Sequence, residues 1–130
     1  MKKPHGFTLI ELIVVVIFLS LSAAIFFYQM SNIEASQRDN DRKTAINAMY
    51  YNLEEVFYEK NGYYPVTVDS KILTAMDAEL FNDPQGNTLG TATSNYRYDP
   101  IDCQNDRCRS YSLTSSLTKE ADYVKKSRNN

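Results

Sequence analysis

The sequence predicts an α+β protein: a long N-terminal α-helix, apolar in its first half and amphipathic in its second, packed on a small antiparallel β-sheet head. Three observations carry this reading. From Phe7 to Tyr28 every residue is apolar or small except Thr8, Glu11, Ser20 and Ser22. No Gly or Pro lies between Gly6 and Gly62, so nothing obliges a helix to break across that stretch. Further on, Asn95-Tyr96-Arg97-Tyr98 and Ser110 to Leu117 alternate with a two-residue period (Tyr96, Tyr98; Tyr111, Leu113, Leu117), which reads as two antiparallel strands.

Taken in order, the apolar run comes first. About 22 residues at 1.5 Å rise span roughly 33 Å, enough to cross the hydrocarbon core of a bilayer. The run is longer than the apolar region of a secretory signal. It ends Ile25-Phe26-Phe27-Tyr28 without a small-residue cleavage site, so a single-pass anchor is the better reading. Lys2 and Lys3 on its short side predict a cytoplasmic N-terminus, with everything after about Gln29 across the membrane. The stretch EASQRDNDRK, residues 34–43, is polar on all sides and reads as a solvated helix or linker. Helical periodicity resumes at Ile46, Met49, Leu53, Val56 and Phe57, with Asn47, Asn52, Glu54, Glu55 and Glu59 on the opposite face. Lys60-Asn61-Gly62 followed by Pro65 ends the helix, which from Phe7 to Lys60 would be roughly 80 Å long.

In the head, Asp69 or Ser70 is placed to cap a short helix through Ile72, Leu73, Met76 and Leu80. Asp83-Pro84-Gln85-Gly86-Asn87 is a turn cluster. The two alternating strands follow, with the cysteines in their connection; Ala121 to Val124 adds a third strand, and Lys125 to Asn130 is expected to be a mobile, solvated tail.

Chemistry-bearing residues are few. Cys103 and Cys108 are the only cysteines, and a pair beyond the membrane reads as a disulfide. Zinc would need further ligands, and the one histidine, His5, precedes the apolar run. Asp99, Asp102 and Asp106 surround the cysteines but lack the ordered ladder of a calcium loop, so calcium is a minor alternative and no cofactor or metal is expected. The net charge of −2 does not favour nucleic acid. No nucleophile–base–acid set, phosphate-binding loop or metal cluster is present, and Glu54 and Glu55 diverge as helix neighbours, so an enzyme is not expected.

The string Lys2-Lys3-Pro4-His5-Gly6-Phe7-Thr8-Leu9-Ile10-Glu11, running directly into the apolar segment, resembles the N-terminus of type IV pilins and their pseudopilin relatives. Tyr58 to Pro65 is similar to the helix-ending Y-x-x-x-x-x-Y-P segment of that family. Asp83 to Asn87 with Tyr96 and Tyr111-Ser112-Leu113 is similar to its D-P-W-G-N…Y…Y-x-L pattern. The resemblance implies a leader of residues 1–6, a transmembrane and filament-core helix over 7–28, its amphipathic continuation over 29–61 and a head over 62–130. It implies cleavage between Gly6 and Phe7 by a prepilin peptidase, N-methylation of Phe7, and assembly through Glu11 neutralising the Phe7 amine of a neighbouring subunit. An acid inside a membrane-length helix is costly, which agrees with a dedicated use. The implied partners are further copies of the chain, minor pilins, the peptidase and methyltransferase, an inner-membrane assembly platform and, before assembly, the membrane. The implied destination is a cell-surface filament, or a periplasmic fibre for a type II secretion pseudopilin. A DNA-uptake pilin and an unprocessed anchored domain are the remaining alternatives. Where many members carry a helix-breaking Gly or Pro in the apolar run, this chain has Ser20 and Tyr28.

Overall fold

The computed structural model describes residues 6–129, so Lys2, Lys3 and His5 of the expected leader lie outside the described residues. The protein forms two compact units, Met1–Ala35 and Ser36–Asn130. Helix α1 covers Leu9–Tyr51, continues as a π-helical segment over Asn52–Tyr58, and finishes with one more α turn, α2, at Glu59–Asn61. Gly62 then takes a left-handed φ of 74° that a side chain would resist, and the helix ends where the Gly-then-Pro signal placed it. The polar stretch 34–43 is helical throughout rather than a melted linker.

The sheet has four strands: β1 Tyr64–Pro65, β2 Tyr96–Gln104, β3 Arg107–Ser115 and β4 Tyr123–Lys126. All pairings are antiparallel; β2 lies along one edge of β3, while β1 and β4 pair with opposite ends of β3. The β2–β3 hairpin is longer than the alternation predicted. Its turn is Asn105-Asp106, both at positive φ (49° and 60°), a conformation Asn and Asp tolerate and that matches the twist of the flanking strands. Cys103 and Cys108 therefore do not sit in a loop. They face each other as cross-strand partners and are joined by a disulfide. Pro100, which has no N–H to give, is accommodated because β2 pairs on one side only.

Two further expectations are corrected. Asp69 does cap, accepting from the backbone N–H of Lys71 and Ile72 at 2.8 and 2.9 Å, but the turn it starts does not propagate. Asp77 caps a separate 3₁₀ turn at Ala78–Phe81, so two local caps replace one helix. The third strand begins at Tyr123, and Lys125 and Lys126 belong to it instead of to a mobile tail, because β3 still has an open edge opposite Ser112 and Leu113.

The core of the second unit is made by Ile46, Met49 and Leu53 of the helix against Tyr64, Leu73, Phe81, Tyr96, Tyr111 and Leu113. The predicted stripe holds at Ile46, Met49 and Leu53 and in part at Phe57, which packs against the core, but not at Val56, which is 45% exposed, while Glu54 and Asn52, expected on the outer face, are buried. The π segment explains this. Each wider turn holds more residues than an α turn, so the phase of the helix rotates and brings Glu54 inward as Val56 leaves.

Three buried carboxyl groups organise the unit. Asp39 accepts from the backbone N–H of Thr118 (2.8 and 2.9 Å) and Lys119 (2.8 Å) and from buried Arg42 (2.7 Å). Asp83 gathers its own loop, accepting from the N–H groups of Gln85, Asn87 and Asn95 and from both asparagine side chains. Glu54 accepts from the hydroxyls of Tyr64 (3.0 Å) and Tyr111 (2.8 Å). Burial pushes the Tyr64 phenol up to about 12, and burial together with the Glu54 hydrogen bond raises Tyr111, so both remain donors at neutral pH. For Asp39 and Asp83 burial alone would raise the carboxyl, but the converging N–H donors outweigh it and hold both below the ordinary 3.8.

Three outcomes follow from this packing. Leu53→Ala should destabilise the folded unit by about 2–5 kcal/mol in urea unfolding of a fragment from Ser36 onward. Replacing both cysteines by serine should cost about 2 kcal/mol, since the closed loop is short. Because folding lowers the Asp39 and Asp83 values, their contribution is complete above about pH 4 and is lost as pH falls through the depressed folded values. A urea midpoint that rises on acidification from pH 4 to pH 2 would contradict this assignment.

Candidate functional site

The chemistry of the first unit is concentrated at the start of α1. Gly6, Phe7 and Thr8 precede the helix, and Thr8 is its cap: its Oγ1 accepts from the backbone N–H of Glu11 at 3.3 Å, and its carbonyl accepts from Leu12 at 3.2 Å. Thr8 and Glu11 have the spacing of a capping box, a signal in the sequence that the periodicity reading passed over. Glu11 thus sits in the first helical turn, where unpaired N–H groups favour a negative side chain. The same geometry leaves its carboxyl exposed and able to meet a group from another molecule.

From Leu12 to Tyr28 the helix presents apolar side chains all round. Phe7 is 80% and Phe27 70% exposed, and the intervening Leu, Ile, Val and Phe residues are likewise uncovered. Ser20 and Ser22 do not interrupt this surface, because their hydroxyls turn back to the carbonyls of Val16 (2.7 Å) and Phe18 (2.8 Å) and so hide their polarity. By length and composition the helix can cross a membrane. A patch this large and apolar is far beyond what a monomer in water exposes; it is a surface for lipid or for other helices.

Gly6 has no local structural duty. A Cβ placed there would meet no atom within 4 Å, and its φ is not in the left-handed range.

Residues 1–27 match the family described as Prokaryotic N-terminal methylation motif, the type IV prepilin signature. Over these residues the chain is type IV prepilin-like. No curated protein and no solved structure matches it. The architecture agrees with the N-terminal signature, since a long N-terminal helix and a small antiparallel sheet make an α+β, pilin-like fold.

The three aspartates near the cysteines lie in the second unit. Asp99 pairs with Arg97 at 3.1 Å on exposed β2, Asp106 is in the hairpin turn, and Asp102 takes a positive φ of 53° within β2. Among the described residues no group of three or more His, Cys, Asp or Glu is arranged to hold a metal ion. Sequence reasoning missed the three buried carboxyl groups. For Asp83 the Asp-Pro-x-Gly-Asn turn cluster pointed to the residue; for Asp39 and Glu54 no local signal existed.

Removing the cap tests the local account of this site. Thr8→Ala should destabilise the first turn by about 1 kcal/mol, seen as faster amide exchange at Glu11 and Leu12 in detergent micelles. Unchanged exchange there would show that the Thr8 contact carries no weight.

Proposed function

We propose that this pilin-like chain is a structural subunit made as a prepilin, cleaved between Gly6 and Phe7, N-methylated at Phe7 and polymerised through its N-terminal helix into an extracytoplasmic filament. The observation that carries the reading is the uncovered apolar segment from Phe7 into α1, with Glu11 in the first helical turn, inside the prepilin signature. Cleavage would give Phe7 a cationic amine next to the only acid of the apolar run. In a bundle of such helices the Glu11 carboxyl of one subunit meets the Phe7 amine of another, and the stagger between subunits is set by that pair. Before assembly the same surface faces lipid. Gly6 supports processing, because a peptidase that threads extended backbone is favoured by the missing side chain.

The partners of this reading are copies of the chain, minor pilins, the prepilin peptidase and methyltransferase and an inner-membrane assembly platform. The role is scaffolding, with no catalytic step and no cofactor. A type II secretion pseudopilin would use the same helix in a fibre confined to the periplasm.

Intact mass spectrometry of sheared surface material and of membranes separates these readings. A surface species beginning at Phe7, heavier by one methyl group, is the expected result. A processed species confined to membranes would transfer the assignment to the pseudopilin reading, and retention of Met1 to Gly6 would overturn both. Glu11→Val should insert and be cleaved normally yet fail to form homopolymer, with roughly 3–5 kcal/mol of pairing removed per interface. Wild-type filament from that variant would remove Glu11 from assembly.

A further inference from the structure

The segment that follows β3 is attached to the helix at two points of unequal kind. At one end Asp39 holds the backbone N–H groups of Thr118 and Lys119 with three bonds of 2.8 to 2.9 Å, and Lys43 pairs with Glu120 at 2.7 Å. From there β4 runs along β3 for four residue pairs, and the Tyr123 hydroxyl reaches Asn47 at 3.0 Å. At the other end Ser127, buried, exchanges contacts with Tyr111: its N–H donates to the Tyr111 carbonyl at 3.2 Å and its Oγ accepts from the Tyr111 N–H at 3.4 Å. The Arg128 N–H donates to Glu54 at 3.4 Å, the Arg128 guanidinium bonds the Tyr50 hydroxyl at 3.1 Å and pairs with Glu55, and Asn129 donates to the Tyr64 hydroxyl at 3.4 Å.

We infer that residues 120–129 are a strap, hinged at Thr118–Lys119 and latched by Ser127–Asn129 on the Glu54–Tyr64–Tyr111 cluster, which closes last and opens first while the rest of the head stays folded. Three features separate the strap from the body of the head. Its latch bonds within the Glu54–Tyr64–Tyr111 cluster are 3.2 to 3.4 Å, whereas the hinge bonds are 2.8 to 2.9 Å, and its shorter contacts, Arg128 with Tyr50 and with Glu55, are solvent-exposed, where an ion pair contributes little. β4 itself buries little: its residues alternate between half-buried and exposed, and Val124 is 45% exposed. Opening also does not orphan the buried acid, and the Tyr111 N–H and carbonyl that Ser127 releases pass to water at the uncovered edge. Glu54 keeps the hydroxyls of Tyr64 and Tyr111, its two closest partners, so the penalty for a deserted buried acid does not arise. The order of closing has a matching reason. The latch site combines the π segment (Glu54), β1 (Tyr64) and β3 (Tyr111), so it exists only after these three have docked. The open form would uncover the edge of β3 from Ser112 to Ser115.

Amide hydrogen exchange on the full chain in detergent micelles tests this. In the unmodified protein the amides of Tyr123 to Arg128 should exchange at least tenfold faster than those of β2 paired with β3. Their rates should also be insensitive to low urea, as local openings are, while the β2 amides accelerate with urea. Arg128→Ala should raise strap exchange about tenfold and leave the amides of β2 and of Ile46 to Leu53 unchanged; Arg97→Ala, removing an exposed pair elsewhere, should change neither. Equal protection of strap and β2 in the unmodified protein would overturn the inference. So would an Arg128→Ala effect spread evenly over helix and sheet, or an absent effect.

Discussion

Glu54 brings a carboxyl group into the interior of the head at a point where its own helix offers no donor. It is satisfied by phenol hydroxyls from β1 and β3, Tyr64 and Tyr111, and each of those rings packs in the core: Tyr64 lies 4.7 Å from both Tyr58 and Tyr111, ring centre to ring centre. A buried polar group costs free energy unless it is bonded, so these contacts are obligatory once Glu54 points inward. It points inward because the helix widens at Asn52–Tyr58. Helix phase, tyrosine placement and strand docking are therefore one constraint seen from three sides. Asp39 repeats the arrangement lower on the helix, with backbone N–H donors in place of phenols.

This division of labour fits a pilin-like subunit. In the first unit the run from Leu12 to Tyr28 stays apolar on its surface even at Ser20 and Ser22, and Glu11 stands in the first helical turn, which leaves these side chains available to lipid or to other helices. The second unit completes its own core and bonds the buried carboxyl groups of Asp39, Glu54 and Asp83 from within itself. The Cys103–Cys108 bridge belongs to the second unit and adds a covalent tie at the turn end of the hairpin, where β1 is only two residues long.

Much of the fold was legible because it rests on local chemistry. The absence of Gly and Pro, the apolar run, the Gly62–Pro65 stop and the Asp83 turn cluster all act within a few residues of themselves. The hairpin was legible as alternation at Tyr96, Tyr98, Tyr111 and Leu113, but its extent was not. Pro100 and the charged residues near the turn masked strand that pairing with β3 supplies. The single helix expected after Asp69 failed for a related reason: two aspartates, Asp69 and Asp77, compete to start turns, and packing of Leu73 and Phe81 favours two short ones.

The sequence by itself determined the long N-terminal helix, where it stops, which half is apolar, the prepilin-like start and the presence of a small antiparallel sheet. Backbone sterics and side-chain periodicity act over a turn or two, and a linear reading captures them. Only the tertiary structure decided that Glu54 turns inward while Val56 turns out, that polar Asp39 and Arg42 are buried, and that residues beyond Lys125 are tied down instead of loose. The partners that settle those outcomes are far away in the chain: Tyr111 is 57 residues from Glu54, Arg128 is 74 from it, and Thr118 is 79 from Asp39. No periodicity encodes a hydrogen bond across such a separation. It exists only once the chain has folded and the alternative is a buried group without a partner.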